Sequence, residues 1–121
     1  TKQQRLLTLI SPTIVVGESG PELVLGSGGS NRIGSAISQV ILNTLSYKMD
    51  LGSAISAPRV HLEDNILHHE VGIKIDKKAI KDKTIKIKRW GELNLFFGGV
   101  NAVTKTAAEG DPRRGGVGIV Y

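Results

Sequence analysis

The sequence contains no cysteine, which excludes disulfides, thiol catalysis and thiolate metal sites and leaves the redox compartment open. Aromatic residues are scarce, at 4 % of the chain (Trp90, Tyr47, Tyr121, Phe96 and Phe97), so isoleucine, leucine and valine must fill any core. No apolar run approaches the roughly 20 residues of a membrane span. There is no initial Met, and Thr1-Lys2-Gln3-Gln4-Arg5 lacks the apolar centre of a signal peptide. The start therefore reads as the middle of something longer.

What is present is ordinary for a globular chain: 121 residues, 40 % hydrophobic and 22 % charged. That length suits one domain, and the composition is not that of a disordered segment. The net charge is +5, and it is uneven. Lys74, Lys77, Lys78, Lys81, Lys83, Lys86, Lys88 and Arg89 crowd one stretch and meet only Asp76 and Asp82 there. Such a run reads as a solvated strand face or edge, where lysines discourage sheet-to-sheet pairing. No aromatic platform interleaves with it, so a nucleic-acid partner is not expected.

Ile14-Val15-Val16, the turn formers Gly17 to Pro21, and Leu23-Val24-Leu25 predict a β-hairpin over residues 13–25. From Arg32 to about Leu45, the apolar positions Ile33, Ile37, Val40, Ile41 and Leu45 recur at spacings of three and four, which predicts an amphipathic helix. Ser30 or Asn31 can cap it. Asp50 predicts the cap of a shorter helix through Leu51, Ala54 and Ile55, stopped by Pro58. Beyond Arg59 the period becomes two. Leu67, Val71, Ile73 and Ile75 predict strand, as do Ile85 and Ile87 between lysines. Leu93 to Val103 suits a central strand broken at Gly98-Gly99. A turn-rich stretch, Gly110 to Gly116, then precedes a last short strand, Val117 to Val120. No internal repeat is found. The order of elements fits an α+β layered domain.

Gly26-Ser27-Gly28-Gly29-Ser30-Asn31-Arg32 joins a buried strand to a helix N-terminus, where unpaired backbone N–H groups and the helix dipole favour negative charge. A phosphate cradle, an oxyanion hole and a plain tight turn are all compatible with it, although the Gly-Lys-Ser/Thr of a P-loop is absent. His68-His69-Glu70 invites a metal reading, but neighbours on a strand point to opposite faces and the helical His-Glu-x-x-His spacing is missing. A partly exposed strand and no metal are the expectation there. Asp111 with Arg113 and Arg114 reads as a turn with local ion pairs, and Trp90 as a packing anchor at a sheet edge.

Several blocks taken together resemble the γ-glutamyltranspeptidase family. Arg5-Leu6-Leu7-Thr8-Leu9-Ile10-Ser11-Pro12-Thr13-Ile14-Val15 is similar to that family's Arg-Pro-Leu-Ser-Ser-Met-Ser-Pro-Thr-Ile-Val segment. Gly26 to Ile33 resembles its Gly-Ser-Pro-Gly-Gly-Ser-Arg-Ile turn. Met49-Asp50-Leu51 with Ala54 through Ala57-Pro58-Arg59-Val60-His61, then Glu70 with Gly72, Gly98 to Val103, and Asp111 to Gly116 follow in the family's order. The series spans nearly the whole chain.

The resemblance implies a C-terminal part of a small subunit, 1–121 as a single domain, with the α+β fold of part of an N-terminal-nucleophile hydrolase αββα sandwich. It implies a precursor that cuts itself into large and small subunits, whose new N-terminal Thr attacks a γ-glutamyl carbonyl with its own α-amino group as base. It implies no cofactor. The expected partners are the rest of the small subunit, the large subunit and a γ-glutamyl substrate, with a heterodimer or oligomer as the assembly. Gly29 and Ser30 fall on the two glycines of the oxyanion turn, and a one-residue slip would make Gly28 and Gly29 the pair. Thr8 and Leu9 fall on the paired serines that hold the substrate's α-carboxylate. Leu9 has no hydrogen-bonding side chain, which points to a divergent branch. Thr1 is formally N-terminal, yet Lys2-Gln3-Gln4 does not resemble the family's start and Thr1 stands too close to Thr8. It is not expected to be the nucleophile, and this piece alone is expected to be inactive. The alternative from another class is a non-catalytic binding or structural module that keeps the fold.

Overall fold

The computed structural model describes residues 3–121, so Thr1 lies outside the described residues. Strands β1 (Thr13–Gly17) and β2 (Gly20–Gly28) form the expected hairpin, with Ile14 opposite Val24 and an irregularity between Val15 and Val16. Gly20 closes the turn at φ 100°, a conformation that costs glycine little because it has no Cβ. β2 then leads through a single 3₁₀ turn, Ser30–Arg32, into α1 (Ile33–Leu45). The cap expectation is corrected here: neither Ser30 nor Asn31 caps α1 through its side chain. The 3₁₀ turn uses backbone instead, with Arg32 N donating to Gly29 O at 3.1 Å, and Asn31 turns its amide toward Glu63.

The second helix, α2 (Leu51–Ser56), is capped as expected, since Ser53 N donates to Asp50 Oδ1 at 2.9 Å. Strands β3 (Val60–Glu63) and β4 (Ile66–His69) follow as an antiparallel hairpin with Glu63 opposite Ile66. Its two-residue loop is Asp64-Asn65, at φ 50° and 59°. Paired left-handed residues of this kind match the right-handed twist of the strands they join.

β5 (Lys86–Arg89) runs parallel to β4 at the edge of this three-stranded sheet. The predicted strand through Val71, Ile73 and Ile75 is not there, and Ile85 lies just outside β5. In the lysine-rich stretch that follows, the backbone is drawn into side-chain turns: Asp76 Oδ1 accepts from Lys78 N and Asp82 Oδ1 from Thr84 N. Aspartate competes with ladder formation in this way.

The predicted long strand from Leu93 is likewise corrected. Asn94 accepts from Phe96 N and starts a 3₁₀ turn over Leu95–Phe97, so β6 is only Gly99–Val103. β7 is the pair Ala108–Glu109, which the sequence reading passed over. Residues 117–120, expected as a strand, have no ladder partner; Val117, Ile119 and Val120 are 87 %, 68 % and 62 % exposed.

The larger sheet has the order β1-β2-β6-β7, antiparallel throughout. Its inner face carries Leu23, Leu25, Val100 and Ala102 and packs on Ile33, Ala36, Ile37 and Val40 of α1 and Leu51 and Ile55 of α2. Every-second-residue alternation on the strands and the three-four spacing on α1 meet in that layer. The arrangement is α+β, as expected.

Candidate functional site

The corner where β2 gives way to α1 is built from glycines that let two backbones touch. Gly28 of β2 lies opposite Gly99 of β6. A Cβ at Gly29 would stand 2.8 Å from the Gly98 Cα, and one at Gly98 would stand 2.9 Å from Ser27 Oγ and 3.0 Å from Gly28 O. Neither contact is tolerable for a real side chain. Ser27 Oγ adds a tie by accepting from Gly99 N at 3.1 Å.

Gly29 has φ 128° and Ser30 has φ 53°. A left-handed residue with a Cβ costs on the order of 1 kcal/mol, so Ser30 needs support from its surroundings. Among the described residues, neither the Gly29 nor the Ser30 N–H makes a turn or cap hydrogen bond. Two free amides therefore precede a helix whose dipole is positive at this end.

Three groups border the turn. The side chain of Arg114 lies across it: its Cδ occupies space that a Cβ on Gly99 would enter at 2.2 Å, and its guanidinium carbon is 3.7 Å from the corresponding point on Gly28. Glu63 at the end of β3 receives Asn31 Nδ2 at 2.6 Å and Arg32 Nη1 at 3.4 Å. The Asn31 bond, followed by the charge of Arg32, holds the Glu63 carboxyl below its ordinary pKa. Arg32 also donates from Nε to Phe96 O at 3.1 Å, and its guanidinium sits 4.3 Å above the Phe96 ring. His61 is the third group. Its Nδ1 is 2.8 Å from Ser35 Oγ, its Nε2 is 3.7 Å from Glu63 Oε2, and burial lowers its pKa so that the ring is neutral near pH 7.

Beneath the corner lies a buried quartet of charges. Asp111 accepts from Arg59 Nη2 at 2.7 Å, Val100 N at 2.8 Å, Arg113 N at 2.9 Å and Arg113 Nη1 at 3.2 Å. Glu70 accepts from Arg59 N and Asn94 N, each at 2.8 Å, and pairs with Arg113 through both carboxylate oxygens. The two arginines also donate to carbonyls of Ile55, Ala57 and Phe97. Burial alone would raise the Asp111 pKa; Arg59 and the Val100 and Arg113 amides more than offset it, so the carboxyl stays below its ordinary value. Asp111 and Arg113 are thus more than the local turn expected from sequence. They fasten the segment carrying Arg114 to β6, one residue from Gly99.

The other predicted positions lie apart. Thr8 and Leu9 are in the exposed segment before β1, where Thr8 Oγ1 accepts from Ile10 N two residues on. Because Thr13 pairs with Leu25 in antiparallel register, this segment enters the sheet from the end at which β2 leaves toward Gly28, Gly29 and Ser30. His68 and His69 are both buried, not partly exposed. His68 packs 4.6 Å from Phe96 and accepts from Trp90 Nε1, while His69 Nδ1 faces the Glu70 carbonyl. Among the described residues no cluster of His, Asp and Glu is arranged to hold a metal, and no helix is long and apolar enough to cross a membrane.

Sequence reasoning missed the role of Glu63 and the joining of Arg59 and Glu70 to Asp111 and Arg113. Asp64-Asn65 was the available signal for the hairpin that presents Glu63. Nothing in the spacing of the quartet announces it.

The family model described as gamma-glutamyltranspeptidase matches residues 2–121. The glutathione hydrolase proenzyme of Pseudomonas aeruginosa is 28 % identical over 125 aligned positions, covering 97 % of this chain and 22 % of that protein. The glutathione hydrolase proenzyme of Escherichia coli is 40 % identical over 58 residues, covering 48 % of this chain and 10 % of that protein. A crystal structure of an acivicin-inhibited γ-glutamyltranspeptidase, which assigns its C-terminus critical roles in autoprocessing and catalysis, superposes with a TM-score of 0.77 at 30 % identity. That match covers 95 % of this chain and 65 % of the solved one. The chain thus spans about a fifth or less of the two curated relatives.

Proposed function

The chain belongs to the γ-glutamyltranspeptidase family, and from that premise we propose that it is the C-terminal portion of a small subunit that cleaves γ-glutamyl amides such as glutathione. Its fold is α+β, part of an N-terminal-nucleophile hydrolase αββα sandwich. On this reading the γ-glutamyl group passes to water or to an amino acid or peptide. The Thr nucleophile is supplied by a preceding part of the same subunit. Its hydroxyl oxygen bonds to the γ-carbonyl carbon while its proton passes to the α-amino group. The carbonyl oxygen becomes an oxyanion. As the tetrahedral intermediate collapses, the amine leaves carrying that proton, and the acyl ester is later attacked by water or an acceptor amine.

The role of this segment is to hold the oxyanion. The observation that carries the reading is the pair of unbonded N–H groups at Gly29 and Ser30, in left-handed backbone at a helix start, at the positions where the family has its glycine pair. Gly29 and Gly98 supply the close approach that the turn needs, and the Gly28 carbonyl lies against Gly98. Fixed amides of this kind act on charge that develops only in the transition state, and they need no reorganisation at the moment of reaction. Ser30 departs from glycine in its side chain only, and a backbone donor survives that change. Arg114 adds positive charge at the rim. Thr8 and Leu9, entering at the same end of the sheet, border the substrate, with the Thr8 hydroxyl available to a carboxylate. Leu9 favours the competing reading, a binding module that keeps the fold without the chemistry.

The test uses the protein with whatever chains it is made with. Hydrolysis of a chromogenic γ-glutamyl anilide is expected, together with a companion or preceding segment whose mature N-terminus is Thr. Gly29→Ala, which drives a Cβ against Gly98, is expected to lower kcat about a hundredfold with little change in KM, the size of losing one oxyanion donor. A folded Gly29→Ala protein with undiminished kcat overturns the assignment. Absence of any γ-glutamyl hydrolysis in the wild type favours the module.

A further inference from the structure

We propose that Glu63 is a positioning residue for this turn, and that it is what allows a serine to stand at the second left-handed position. The inference rests on the oxyanion reading above. Ser30 has φ 53°, which is uncommon for a residue with a Cβ and persists only where neighbours over-determine it. The turn before it is fixed by the Gly29–Gly98 contact. The chain after it is fixed by Glu63, which takes one carboxylate oxygen to Asn31 Nδ2 at 2.6 Å and the other to Arg32 Nη1 at 3.4 Å. Both are side chains of the two residues that follow Ser30. The strained residue is thus gripped on each side, and neither grip uses its own side chain.

The grip is itself rigidly mounted. Glu63 is the last residue of β3, locked by pairing to Ile66 across the Asp64-Asn65 turn. Arg32 is held independently, by Phe96 O at 3.1 Å and by the Phe96 ring. Glu63 and Arg32 each keep only 25 % of their side-chain surface exposed, so the pair is screened less than a surface ion pair. A carboxylate bridging an amide and a guanidinium can fix the path of the 3₁₀ turn, and with it the direction of the Ser30 N–H.

The experiment is a double-substitution cycle in the complete enzyme, read by γ-glutamyl anilide hydrolysis and by amide hydrogen exchange at residues 29–32. Glu63→Ala is expected to lower kcat about tenfold, less than removal of a donor because the N–H is misdirected and not lost, while KM stays within about twofold. Exchange at Ser30 and Asn31 is expected to accelerate. In the Ser30→Gly background the same Glu63→Ala change is expected to cost less than about threefold, since glycine adopts the left-handed region unaided. Glu63→Gln, which keeps an acceptor for Asn31 and loses the charge facing Arg32, is expected to fall between. It serves if the alanine variant does not fold. An equal loss in both backgrounds makes Glu63 a general prop of the fold and overturns the proposal, as does unchanged exchange at residues 29–32. Accelerated exchange, relieved by Ser30→Gly, with hydrolysis unaltered throughout leaves the positioning intact and sinks the oxyanion reading instead.

Discussion

At Asp111 a single carboxylate, 1 % exposed, receives four donors from three separate parts of the chain. Burying a charge is costly, and removing one partner of a buried ion pair leaves another charge uncompensated. Asp111→Asn keeps the shape and deletes the charge, which leaves Arg59 and Arg113 facing Glu70 alone. We expect a loss of about 3 kcal/mol in unfolding free energy, the typical scale for a broken buried pair, measured by urea denaturation of the purified protein. A loss under about 1 kcal/mol, the level of a surface pair, would show that the quartet does not tie the segments together. The same residue explains why sequence reading stopped short. Asp111 and Arg113 are adjacent enough to suggest a turn, but Arg59 and Glu70 reach them only through the tertiary fold. Their burial requires exact charge balance that no periodicity encodes.

Among the elements, those with a local physical cause were legible. The 13–25 hairpin follows from β-branched runs about a glycine-rich turn, α1 from its apolar stripe, and α2 from Asp50 at its start. In two of the segments that failed, a side chain overrode the period. Asp76 and Asp82 bend the lysine-rich segment out of strand, and Asn94 starts a 3₁₀ turn in an apolar run. β4 shows how packing then adds chemistry to an element. It presents His68 to Phe96 and to Trp90, whose indole Nε1 donates to His68 Nδ1 at 3.3 Å. That nitrogen must stay unprotonated for the bond to exist. Burial first, and then Lys88, lowers the His68 pKa, and burial does the same to His61.

The sign follows from that direction. The unfolded chain takes up these protons at the ordinary histidine pKa of about 6.5, before the folded protein does. Stability is therefore full above about pH 6.5 and falls as pH drops below it. Asp111 and Glu63, whose pKa values are lowered, lose their contribution only below the ordinary carboxylate range of about 4, outside this window. We expect the urea midpoint to be lower at pH 5 than at pH 7, with the fluorescence of the sole tryptophan changing over the same interval. Substituting both His61 and His68 with Gln is expected to flatten that dependence. A slope that survives the double substitution assigns it to other groups.

For the whole molecule, the inner face of the larger sheet is filled by the two helices, while its outer face is not covered by any described residue's side chains to the same degree. Ile14, Val24 and Val103 stand in one cross-strand row there and are 61 %, 39 % and 46 % exposed, with Val16 beside them at 66 %. An aliphatic row on a sheet face is a poor surface for a lone domain. It is what one layer of a two-sheet sandwich presents to the other, and sheets packed face to face stand about 10 Å apart with their inner side chains interdigitated. The proposed occupant is accordingly the remainder of the small subunit and, with it, the large subunit. Val24→Lys places a charge in the middle of the row while leaving Leu23 and Leu25, which face the helices, untouched. If the row is an interface, the substitution buries an unpaired ammonium when the sandwich closes, a cost of several kcal/mol, yet it costs little where the face meets water. Co-purification of the large subunit with the small subunit is therefore expected to be lost, while the far-ultraviolet circular dichroism of the small subunit is retained. Undiminished co-purification of Val24→Lys would mean that the partner chains sit elsewhere and that this sheet faces solvent in the assembled protein.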